Sequence, residues 1–124
     1  MPLYRLTCVA LLALTGCTHE VYSPENVEQK GVRIEFPSDF APGAAVHCIE
    51  RNAERINSHY VSTARELDNG LELTVHAGSK DGDAIAVAQI LSRGDKDAGS
   101  AVTLTVTPRN ASPRSLAMAL RGKC

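Results

Sequence analysis

Strict two-residue alternation recurs along this 124-residue chain, and it limits the possible folds more than any other feature. Val32-Arg33-Ile34-Glu35-Phe36 and Ala101-Val102-Thr103-Leu104-Thr105-Val106-Thr107 each alternate apolar with polar side chains, and each is followed at once by a proline, Pro37 or Pro108. Successive side chains of a strand point to opposite faces, so such runs read as half-buried strands that proline ends, because it cannot donate to a ladder. Tyr60–Leu67 and Leu71–Ala77 flank Asp68-Asn69-Gly70, a hairpin signal. A three-residue loop with Gly70 in the left-handed position aligns Val61, Thr63 and Leu67 with Leu71, Leu73, Val75 and Ala77, whereas a two-residue Asn-Gly loop strands Val61 and Leu67 on the polar face. The three-residue loop is therefore expected. Ala84–Arg93 reads two ways, since Asp83 and Gly94 suit helix ends while Ile85, Val87 and Leu91 alternate; its place between clear strands favours a strand.

The period changes twice. From Gly43 to about Ser58, Ala45, Cys48, Ile49, Ala53 and Ile56 fall on one stripe at helical spacing, with Glu50, Arg51, Glu54 and Arg55 outside it. From Ser115 to Arg121 a shorter helix has Leu116, Ala119 and Leu120 as its stripe. The expected order is β-α-β-β-β-β-α: an α+β domain in which an antiparallel meander of about five strands carries two helices on one face.

The N-terminus obeys another logic. Arg5 precedes an apolar run from Leu6 to Gly16 that is too short for a transmembrane helix of about 20 residues and has the layout of a secretory signal. The run ends in Leu14-Thr15-Gly16-Cys17, which resembles the lipobox of bacterial lipoproteins. The resemblance implies cleavage after Gly16, diacylation of the Cys17 sulfur and acylation of its new amine. Two or more acyl chains give stable anchoring where one gives marginal binding. In that family the residue after the cysteine biases sorting, and Thr18, not Asp, implies the outer membrane and a periplasm-facing domain. Residues 1–16 are then signal peptide, 17–31 the lipidated cysteine and a flexible tether, and 32–124 the single folded domain.

This division resolves the four cysteines. Cys8 leaves with the signal and lipid consumes Cys17, so Cys48 and Cys124 remain in an oxidising compartment, where a lone pair is normally bridged. A loop closed between positions 48 and 124 is assigned roughly 4 kcal/mol by the chain-entropy model. The bridge also requires the first helix and the end of the second to be neighbours, because bonded cysteines keep their Cα atoms within about 7 Å.

Catalytic chemistry is hard to assemble. His19, His47, His59 and His76 show no metal-ligand spacing, Asp81-Gly82-Asp83 lacks the downstream glutamate of a calcium loop, and no Gly-x-Ser-x-Gly elbow or phosphate-binding glycine loop occurs. His76 is expected on an exposed strand face, with Glu66 and Glu72 close together on a wet one. No catalytic residue, metal or cofactor is assigned. A net charge of −1 offers no field for nucleic acid, and Phe36, Phe40 and Tyr60 are too few aromatics for a sugar- or base-stacking platform. Besides the bilayer held through Cys17, the expected partner is a protein, and the polar sheet face with Glu66, Glu72, Thr74, His76, Thr103 and Thr105 is expected to face solvent or that partner. The resulting expectation is a non-catalytic envelope lipoprotein acting as a binding or assembly module. An accessory of a secretion or envelope complex is a narrower form of it, and a small periplasmic hydrolase the weaker rival.

Overall fold

The computed structural model describes residues 23–94 and 99–124; the signal peptide, Cys17 and the tether as far as residue 22 lie outside the described residues. Eight elements follow in order: α1 (Pro24–Lys30), β1 (Val32–Ser38), α2 (Pro42–Ile56), β2 (Tyr60–Leu67), β3 (Gly70–Ala77), β4 (Ala84–Ser92), β5 (Ser100–Val106) and α3 (Pro113–Arg121). The strands form one antiparallel sheet in the spatial order β1-β5-β4-β3-β2. From β2 to β5 the sheet is the expected meander, and the crossover through α2 carries the chain from β1 at one edge to β2 at the other. Ala84–Ser92 is a strand, and it holds the centre of the sheet.

One sheet face is apolar because the alternation of four strands comes into register. Ile34 lies opposite Leu104, Leu104 opposite Ala88, and Ala88 opposite Leu73. On this face α2 and α3 bury Ala45, Val46, Ile49, Ala53, Leu116, Ala117 and Leu120. The stripes differ from expectation at their margins, with Val46 and Ala117 buried and Ile56 and Ala119 exposed. Cys48 and Cys124 are bridged with their Cα atoms 5.8 Å apart, which joins α2 to the residue that follows α3's last turn. Asn52 Nδ2, one turn beyond Cys48, donates to the Leu120 carbonyl at 2.8 Å and to Cys124 Sγ at 3.2 Å.

The hairpin register differs from the expectation. Leu67 pairs with Gly70, so Asp68-Asn69 alone forms the loop, and neither residue has positive φ. Gly70 serves the sheet instead of the turn, because a Cβ there would collide with the Ile90 carbonyl of β4. Val61, Thr63 and Arg65 consequently share the second face with His76, Thr74 and Glu72, while Glu66 lies opposite Leu71 on the helix side. The apolar pattern of β2 carries little weight, since β2 is an edge strand with no buried residue.

The flexible tether also needs correction. Residues 24–30 of it are helical: Ser23 caps the helix by accepting from the Asn26 N–H at 3.3 Å, Pro24 occupies the first turn, and Val27 is fully buried against Ala84 and Val87 of β4. This helix packs on the face opposite α2 and α3, so the domain begins near Ser23. Gly31 lets α1 turn directly into β1, where a Cβ would come within 2.5 Å of the Val106 carbonyl oxygen.

Thiol labelling of the denatured, non-reduced protein is expected to modify neither Cys48 nor Cys124. Cys124→Ala should cost roughly 4 kcal/mol in chemical denaturation, by the loop-entropy argument. Labelling of both thiols, or an unchanged denaturation midpoint, overturns the stapling role.

Candidate functional site

The polar sheet face expected to meet solvent is mostly closed. Glu72, Thr74, His76 and Thr105 are buried and Thr103 half-buried, because α1 lies over β4 and β5 while side chains of β2 and the β3–β4 turn cover the rest. His76 Nδ1 lies 3.2 Å from the Gly82 carbonyl, which can only accept, so Nδ1 carries a proton and donates it. Nε2 lies within hydrogen-bonding distance of the Thr63 hydroxyl, at 3.2 Å. The Asp81-Gly82-Asp83 turn thus latches over the imidazole. Both ring nitrogens are engaged, and His76 does not line the cleft that holds the nearby carboxylates.

That cleft, about 160 Å³, opens between α1 and the sheet and is lined by Glu28, Arg33, Glu35, Gln89 and the two threonines of β5. Beside it Arg65 grips Glu72 with Nε to Oε1 at 2.8 Å and Nη2 to Oε2 at 3.2 Å. Glu72 is buried, and this paired hydrogen bonding to a guanidinium compensates the desolvation of its charge. The carboxylate in turn holds the Arg65 guanidinium above its ordinary pKa. Glu28 reaches down from α1 toward the same group. Burial first, then the charge of Glu72 and a carboxyl-to-carboxyl hydrogen bond with it, raise the Glu28 pKa; a hydrogen bond from Gln89 Nε2 at 3.3 Å and the charge of Arg65 oppose the rise. The Gln89–Glu28 hydrogen bond ties α1 to β4 beside the Arg65–Glu72 pair. The cleft has room for only a few water molecules.

A larger concavity, about 440 Å³, runs along the outer side of α2. Phe40, Ala44 and Cys48 supply its apolar part, and His47, Arg51 and Arg55, spaced one helical turn apart, supply its charge. Phe40 is held by its backbone: its N–H donates to Ser38 Oγ at 3.2 Å and its carbonyl accepts from Ser100 Oγ at 2.7 Å, while the side chain stays 43% exposed. Ser38 Oγ itself donates to the Cys124 carbonyl oxygen at 2.6 Å. Sequence reasoning took Cys48 and the arginines as a bridge and a solvated flank. The signal available was the spacing of 47, 51 and 55, but Phe40 joins them only through the tertiary fold.

Among the sequence-assigned sites, Cys48 and Cys124 are brought together and Cys17 lies outside the described residues. Among the described residues no three histidine, cysteine or acidic side chains converge as a metal site would require, and no helix is long and apolar enough to cross a membrane.

The raised Glu28 pKa sets a direction for pH dependence. Its protonated form is favoured in the folded state, so its contribution is fully present below the ordinary carboxyl pKa and is lost as pH rises through the raised one. Glu28→Gln should therefore melt higher than the parent chain at neutral pH, with the difference shrinking toward acid and α1 becoming less protease-sensitive. A difference that stays constant with pH would sink this assignment. No protein-family model matches the chain, and neither curated proteins nor solved structures gave a match.

Proposed function

We propose that this chain is an envelope lipoprotein, anchored through acylated Cys17 and facing the periplasm from the outer membrane, whose domain is a non-catalytic docking module. The observation that carries the reading is Leu14-Thr15-Gly16-Cys17 closing a short apolar run behind Arg5. The Cys48–Cys124 bridge supports it, since disulfides persist in exported proteins and are rare in reducing compartments. The docked α1 sharpens it. Only residues 18–22 separate Cys17 from the Ser23 cap, and so short a stretch reaches no more than about 20 Å even fully extended. The domain is thus held against the membrane surface, and its partners are those that come close to it. A part in a secretion or envelope complex is a special case of this reading. The engaged ring nitrogens of His76 and the small cleft beside Glu28 favour docking over hydrolysis.

Cys17→Ala should move the protein from the membrane fraction to the soluble periplasm, and intact mass of the detergent-extracted parent should show the acyl chains. A Cys17→Ala protein that stays with the membrane, or a parent mass without acyl groups, refutes anchoring at this residue.

A further inference from the structure

We infer that the groove on the outer side of α2 docks an acidic segment of another envelope protein, with Arg51 and Arg55 pairing its carboxylates and Phe40 packing against an apolar residue within it. The inference rests on the docking-module reading and names the surface and the partner's chemistry.

Charge is the first argument. The whole chain carries −1, yet the groove is lined by two arginines and a histidine with no acidic residue among them. Neither Arg51 nor Arg55 makes an ion pair or hydrogen bond with any described residue; Arg33, Arg93 and Arg114 share that state, but only Arg51 and Arg55 stand one helical turn apart in a groove with an exposed aromatic ring. His47 leans to the acidic flank of the helix, 3.4 Å from Glu50, so the arginines carry the field. Guanidinium groups match carboxylates in geometry, and arginine and aromatic side chains dominate the energetics of protein interfaces.

Preorganisation is the second. The arginines project from a helix whose middle is bonded covalently to the C-terminal residue, and Phe40 is pinned at both its N–H and its carbonyl while its ring is exposed. A surface already rigid loses little side-chain and backbone entropy when it is covered.

Placement is the third. α1, through which the chain leads to Cys17, packs on one face of the sheet, and α2 packs on the other with the groove on its outward side. Layers pack about 10 Å apart, so the groove lies on the order of 20 Å beyond α1, about the full reach of residues 18–22. The groove thus opens on the side of the domain away from α1, the described element nearest in sequence to Cys17.

The experiment uses the full chain in living cells with a photo-crosslinking phenylalanine derivative at exposed Ala44, and at Lys80 in the β3–β4 turn as control. Light should yield a protein adduct from position 44 and none from position 80, and mass spectrometry should map it to a segment of net negative charge. Arg51→Glu with Arg55→Glu should cut the yield at least tenfold while leaving the disulfide and the circular dichroism unchanged. If that variant misfolds, Arg51→Gln with Arg55→Gln serves, as does a tenfold rise in salt during crosslinking of isolated envelopes, which should lower the yield in the same direction. No adduct above the control, an adduct indifferent to charge and salt, an adduct to a segment that is not acidic, or an adduct to lipid overturns the inference. Failure of the anchoring reading is distinguished by fractionation of the same cells, which reports on Cys17 and not on the groove.

Discussion

The bridge between Cys48 and Cys124 locks covalently two helices that already pack together on one face of the sheet. Cys48 lies on the flank of α2 and Cys124 just past α3, and the same corner gathers Asn52, which satisfies the Leu120 carbonyl at the C-terminal end of α3. It also gathers Ser38 at the end of β1, whose hydroxyl binds the Cys124 carbonyl oxygen and holds the Phe40 N–H. Both helices, the end of an edge strand and the entry to α2 therefore depend on one covalent closure. A domain of this size buries too little surface to be generous with stability, so a staple that constrains the unfolded chain weighs heavily.

The two faces of the sheet are held by different physics. On the helix side, branched and small apolar side chains interdigitate beneath α2 and α3. On the other, Glu72, Thr74, His76 and Thr105 are buried, and each requires a partner: a guanidinium for Glu72, a hydroxyl and a carbonyl for His76. Among the described residues no buried side-chain nitrogen or oxygen lacks such a partner. Because α1 and the Gly82 turn close this face, it is structural, and the surface free to meet another molecule shifts to the outer side of α2.

Much of this was legible in the residues. Period-two runs located β1 and β5, although Pro37 lies inside β1 instead of ending it: β1 is an edge strand, where a residue without an N–H is tolerated, and its pairing continues to Ser38. The helical stripes located α2 and α3, and the two cysteines left by the lipobox resemblance are the bridged pair. Helix α1 escaped because its seven residues bury one side chain, Val27, and one residue has no period. The Ser23-Pro24-Glu25 start was a usable signal, a cap followed by proline and an acid at the positive end of a helix. The groove was half legible: the spacing of His47, Arg51 and Arg55 is written in the chain, but Phe40 reaches them only because its backbone is pinned by Ser38 and Ser100.

By itself the sequence determined the α+β class, the five strands and the two longer helices, since these follow from side-chain periodicity along the chain. Tertiary structure alone decided the β2–β3 register, the burial of the polar face and the docking of α1. The register turned on how closely β4 approaches Gly70 and on Arg65 meeting Glu72 across the strands. Burial of Glu72 and His76 turned on partners that other segments bring to them. Such effects depend on distances between residues far apart in the chain, and no local pattern encodes those distances.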